Sequence, residues 1–234
     1  MTDRSTLAEP TPTSRVGSRS RFRPEIQALR AVAVLGVVVY HFFPAQLPGG
    51  YAGVDVFFVI SGFLITGHLM RELTSSGRIR LGAFYARRAR RLLPAAFLVL
   101  VASAVLTVAL LGPHHWQRVA IEIGASALYI ENWALAQAAV DYLSPTTEIL
   151  SPVQHYWSLS VEEQFYLVWP LLLLLVWLLT TKLSTGRRRY ALVATLAAVF
   201  AASLALSIVQ TATSPSLAYF ATTTRAWEFA AGGL

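Results

Sequence analysis

Residues 92–111 read LLPAAFLVLVASAVLTVALL, twenty consecutive positions without a charge. At about 1.5 Å per residue, a helix of that length measures about 30 Å, the thickness of a bilayer's hydrocarbon core. Residues 190–209, YALVATLAAVFAASLALSIV, are equally free of charge. Ile26–Phe43, Tyr51–Met70 and Trp157–Leu179 are nearly as apolar, but each carries ionisable groups near an end or along a face. A sixth stretch, Val119–Ala139, is a poorer span because it holds Glu122, Glu131, Asn132 and Gln137. Hydrophobic residues make up 55% of the chain and charged ones 13%. The expected fold is therefore all-α, a polytopic transmembrane bundle of about six helices, since only internally hydrogen-bonded helices satisfy their backbone in lipid.

Working outward, the first 24 residues are rich in Ser, Thr, Pro and Arg and have no apolar core. Residues 1–24 are expected to be a disordered, basic cytoplasmic tail, and 25–234 a membrane domain. The chain has no cysteine, which excludes disulfides, thiolate metal sites and a cysteine nucleophile. Its net charge of +7 is mostly arginine in connections between apolar segments, as membrane orientation requires, so no nucleic-acid partner is expected.

Charge asymmetry orients the bundle. The connection Arg71–Arg91 holds seven arginines against one glutamate, whereas Pro44–Tyr51 holds no charge. The positive-inside rule places the former in the cytoplasm, together with the N-terminus and the second basic connection, Lys182–Arg189. Two crossings between these connections suffice, so Val119–Ala139 is expected to be an external helix or a re-entrant segment. The outer face then receives Pro44–Tyr51, Gly112–Tyr156 and Thr211–Thr224. His41, Asp55, Glu162, Glu163, Arg225 and Glu228 all fall near that face. Ionisable groups at membrane depth are costly and commonly mark a polar cavity.

Histidine can take a proton from a hydroxyl and return it to a leaving group, and a carboxylate can orient its ring. His41 with Asp55 is such a pair; an interfacial histidine bonded to a nearby loop is the plainer alternative. Asp55 must be paired or protonated at its depth, either in a functional site or in a structural salt bridge. Glu162 and Glu163 diverge by about 100° on a helix, so one of them, Glu162, is expected to face the cavity. Arg30 lies eleven residues before His41 on the same stripe, about 16 Å away toward the cytoplasm. Arg87, Arg88, Arg90 and Arg91 read as topology and headgroup attraction, or as a phosphate-binding cluster. Tyr166, Trp169, Gly62 and Gly67 read as interfacial anchors and packing residues. His114, His115 and His155 have no spacing that suggests a metal site, and none is expected.

Five pieces occur in one order: Arg30-x10-His41, GGYAGVDVFFVISGF (Gly49–Phe63), FYARRARRLLP (Phe84–Pro94), HYWSLSVEEQFYLVWP (His155–Pro170) and RAWEFAAGG (Arg225–Gly233). In these the chain resembles the acyltransferase 3 family of integral-membrane O-acyltransferases. The resemblance implies transfer of an acyl group, commonly acetyl from acetyl-CoA, to hydroxyls of a carbohydrate or glycosylated acceptor at the cell envelope, in a multi-pass inner (plasma) membrane protein. It implies a catalytic His41 with Arg30 as its partner in the same helix; Asp55 or Glu162 is expected to assist the histidine. Arg87, Arg88 and Arg91 fall near the cytoplasmic acyl-CoA site, and Glu163, Arg225 and Glu228 are expected on the acceptor side. Members of the family have about ten spanning helices, so residues 25–234 are expected to be the N-terminal part of the domain. The remaining helices and membrane lipids are its expected partners.

Two other functions fit intramembrane His, Asp, Glu and Arg. A proton-coupled transporter would use them as a relay, although no inverted repeat is evident. A lipid-binding scaffold would need only the arginine cluster and would leave His41 and Asp55 dispensable.

Overall fold

The computed structural model describes residues 23–138 and 151–234. The expected tail 1–24 lies outside the described residues except for Arg23 and Pro24, as does part of the expected outer connection Gly112–Tyr156. Five helices are long and apolar enough to cross a membrane. They are α1 (Pro24–Phe42), α2 (Gly53–Ser76), α3 (Leu81–Leu110), α6 (Tyr156–Leu179) and α7 (Thr185–Thr213). The shorter helices are α4 (Trp116–Ala127), α5 (Glu131–Gln137), α8 (Pro215–Phe220) and α9 (Thr222–Gly233). The chain is a multi-pass membrane protein.

Local chemistry sets the helix ends. Pro24 opens α1 in the first turn, where its missing N–H is no loss. Gly77 closes α2 in the left-handed region at φ 69°, its N–H donating to the Leu73 carbonyl at 2.8 Å. Val119–Ala139 does not form one helix. Tyr129, at φ 56°, breaks it into α4 and α5, each too short to span. Helix α3 starts eleven residues before the expected apolar span, because Ala and Arg propagate helix and nothing between Leu81 and Leu92 stops it. Its 30 residues measure about 45 Å.

Helices α2, α6 and α9 form the core. Phe229 of α9 stacks on Phe58 of α2 at 4.8 Å and on Phe165 of α6 at 3.9 Å. The Trp169 indole N–H donates to Thr66 Oγ1 at 2.8 Å. Helices α2 and α9 meet backbone to backbone: a Cβ on Gly62 would collide with the Phe229 carbonyl, and one on Gly232 with that of Val59. Helices α1, α3 and α7 sit at the periphery and leave Val32, Leu35, Phe97, Leu98 and Ile208 exposed.

The register of α3 against α6 decides the site. Tyr85 hydroxyl donates to the Leu167 carbonyl at 2.9 Å, Arg88 meets Glu163 at 2.6 Å, and Tyr156 hydroxyl donates to the Ala96 carbonyl at 2.8 Å. Rising numbers on α3 match falling numbers on α6, so the two are antiparallel. Arg88 is eight residues, about 12 Å, beyond the level where α6 begins. The arginines Arg87–Arg91, expected within a cytoplasmic connection, are thus helical and lie alongside the first half of α6.

Candidate active site

Three consecutive residues of α6 reach three different neighbours. Glu162 turns toward α2, where Ser61 Oγ donates to its Oε1 at 2.5 Å. The Tyr166 hydroxyl, one turn along, donates to the same oxygen at 2.6 Å. Glu163 turns toward α3 and accepts from Arg88 at 2.6 Å. Gln164 turns toward α5; its Nε2 donates to the Tyr129 carbonyl at 2.7 Å and to Asn132 Oδ1 at 2.9 Å. Its Oε1 accepts from Trp133 Nε1 at 3.0 Å and from Thr222 Oγ1 at 2.5 Å. A helix turning about 100° per residue fans the three amphiphilic side chains apart.

A cavity of about 460 Å³ opens between α1, α2, α3 and α6. Arg30, Arg87, Arg88 and Arg91 line it together with Ser61, His68, Glu162 and Tyr166. The Arg88 guanidinium also lies 3.3 Å from the Tyr166 ring centroid, a cation–π contact that fixes both side chains. Four guanidiniums facing one half-open chamber form an anion site, since each presents a fork of donors matched to phosphate or carboxylate oxygens. Glu162 stands at its inner wall.

Asp55, Arg225 and Glu228 form a second cluster. Arg225 Nη1 donates to Asp55 Oδ1 at 3.0 Å and to Glu228 Oε1 at 2.9 Å, while Nε donates to the Tyr219 carbonyl at 2.9 Å. Glu228 is fully buried. Asp55 precedes Ser61 by six residues, so this cluster lies about 9 Å along α2 from Glu162.

His41 ends α1. Its Nδ1 lies 2.8 Å from the Val37 carbonyl. A carbonyl can only accept, so Nδ1 carries a proton and donates to it. His41 lines neither the arginine chamber nor the apolar cavity beside it.

These placements redraw the expected grouping. The sequence joined Glu162 with His41 and Asp55 in one outer pocket and set the arginines at the opposite mouth. The structure places Glu162 in the arginine chamber, because the arginine-bearing part of α3 runs alongside the first half of α6. It binds Glu163 to Arg88 rather than grouping it with Arg225 and Glu228. Asp55, Arg225 and Glu228 do come together. Tyr166 and Ser61 had not been singled out for chemistry. The Glu162–Tyr166 spacing of one helical turn was the available signal for the former. Among the described residues, no group of three or more His, Asp and Glu side chains could hold a metal ion.

Beside these clusters, Glu131 of α5 is wholly buried, and burial pushes its carboxyl up to about 8, helped by the nearby Glu122 charge.

The arrangement fits a known set of sequences. A family model described as an acyltransferase domain matches residues 23–234. The chain belongs to the acyltransferase 3 family. It is 35% identical over 214 residues to the peptidoglycan O-acetyltransferase OatA of Listeria monocytogenes, covering 91% of this chain and 33% of that protein. It is 41% identical over 155 residues to the O-acetyltransferase OatA of Staphylococcus aureus, covering 65% of this chain and 25% of that one. The chain thus spans about a quarter to a third of the length of these curated relatives. No solved structure matches it.

Proposed function

We propose that this acyltransferase 3 chain carries the donor chamber and catalytic groups of a membrane O-acyltransferase. It takes an acyl group, acetyl in the first instance, from acyl-CoA on the cytoplasmic side. The acceptor is a carbohydrate hydroxyl of the cell envelope, the class to which the peptidoglycan named for the Listeria relative belongs. The N-terminus is cytoplasmic and the membrane is the plasma membrane. One observation carries this reading: four arginines from two helices line a chamber whose far wall is Glu162, held by Ser61 and Tyr166.

In this reading Arg87, Arg88 and Arg91 hold the phosphates of the donor, and its pantetheine arm runs along the chamber past Arg30. His41 Nε2 takes the proton of the acceptor hydroxyl. The hydroxyl oxygen attacks the thioester carbonyl, the C–O bond forms, and the C–S bond breaks. The proton is returned to the departing thiolate, giving the ester and free CoA. Arg30 stabilises the negative charge that develops on the carbonyl oxygen. Glu162 orients the reacting groups, and Asp55, Arg225 and Glu228 bind the acceptor.

Membranes containing the protein, supplied with labelled acetyl-CoA and a glycan acceptor, should form base-labile acetyl ester. His41→Ala should abolish that ester while the protein still inserts into the membrane. Undiminished ester in this variant counts against the mechanism. Movement of a solute across the membrane with no ester formed favours a transporter instead.

A further inference from the structure

We infer that an apolar cavity adjoining Glu162 seats the acyl chain of the donor, so that its walls set which acyl groups are accepted. The inference rests on the acyl-thioester reading above. Phe57 and Glu162 line both the arginine chamber and this second cavity of about 270 Å³. Its other walls include Val34, Val37 and Val38 of α1, Val54 and Phe58 of α2, and Leu159 of α6. The four arginines stand on one side of the shared wall, and the other side is mostly aliphatic and aromatic.

A ligand filling both spaces must be anionic at one end, hydrogen-bonding in the middle and aliphatic at the other end. An acyl thioester of a phosphorylated carrier has that order. Its acyl end then passes the junction at Phe57 and Glu162 and lies against Val37 and Val38, one turn before His41 on α1. A phospholipid fits less well, because its phosphate belongs at the membrane surface and Arg88 lies about 10 Å in from the start of α6.

Size makes the inference quantitative. An acetyl group leaves most of the cavity unfilled, so longer chains gain contact within it. Burial of each added methylene is worth about 0.8 kcal/mol, or roughly fourfold in affinity. Butyryl-CoA, two methylenes longer than acetyl-CoA, should therefore bind at least tenfold more tightly. Val34 and Val38 sit one turn apart on α1, 47% and 44% exposed, so a larger side chain there enters the cavity without disturbing the core.

The test uses the protein in lipid nanodiscs, with empty discs as baseline, and measures the Kd of CoA, acetyl-CoA and butyryl-CoA. The wild type should show the butyryl gain. Val38→Phe and Val34→Phe should remove it while leaving the Kd of CoA itself unchanged, which also shows that the variants are folded. Equal binding of acetyl-CoA and butyryl-CoA by the wild type overturns the acyl-chain assignment alone, as does a gain that survives in both variants. Failure of CoA to bind at all overturns the donor reading and this inference with it.

Discussion

Glu162, Glu163 and Gln164 are neighbours in sequence whose side chains end on α2, α3 and α5. Each should fail differently when altered. Glu162→Gln keeps the shape but removes the charge that Ser61 and Tyr166 hold in place. Transfer should fall by about 10²-fold or more with normal insertion, the scale of a lost acid–base or orienting group; activity near that of the wild type excludes a role for Glu162 in the reaction. Glu163 holds Arg88, so Glu163→Gln should raise KM for acyl-CoA severalfold with kcat little changed. An equal fall in kcat would place Glu163 among the reacting groups. The divergence of the two glutamates was legible from helical geometry alone. Their partners were not, because partners depend on how far α3 is displaced along α6. That displacement is fixed by contacts such as Tyr85 to Leu167 and Tyr156 to Ala96, which no single helix's pattern encodes.

Among elements, the five long helices were readable because lipid demands about twenty apolar residues and the chain supplies them in runs with few or no charges. The start of α3 was not, since hydropathy stops at the arginines while helix propensity continues through them. The break between α4 and α5 rests on the left-handed Tyr129, which carries no strong turn signal. Packing of α2 on α9 is the most exacting contact between elements. Gly62→Ala or Gly232→Ala forces those backbones apart and should cost about 1–3 kcal/mol, the usual range for overpacking. A lowered thermal midpoint in detergent for either variant is the expected result, and an unchanged midpoint means that α9 is free to shift. Glu131 makes a pH-dependent contribution of opposite sign to a salt bridge. Its folded pKa, about 8, lies above the ordinary carboxyl value, so the folded state retains a proton that the unfolded state releases. Stability from this residue is present at acid pH and declines as pH rises from the unfolded pKa through about 8. Glu131→Gln should therefore raise the thermal midpoint at pH 8 more than at pH 5. An equal effect at both would show that the carboxyl is ionised throughout.

For the whole molecule, the direction in which the bundle sits decides whether the arginine chamber can meet a cytoplasmic donor. Parallel pairing of α2 with α6, seen in Ser61 with Glu162 and Thr66 with Trp169, brings the α2–α3 turn and the α6–α7 turn to the same end. Both turns are basic, so one orientation satisfies the positive-inside rule for the entire bundle and the opposite one violates it at both. The chain lacks cysteine, so single cysteines report orientation without background. Leu47 lies in the exposed connection between α1 and α2, and Ser184 in the exposed turn before α7. A membrane-impermeant maleimide added to intact cells should label Leu47→Cys directly and Ser184→Cys only after permeabilisation. The reverse pattern would turn the arginine chamber away from the cytosolic pool of acyl-CoA, and the donor reading would fail whatever the chemistry of His41 and Glu162.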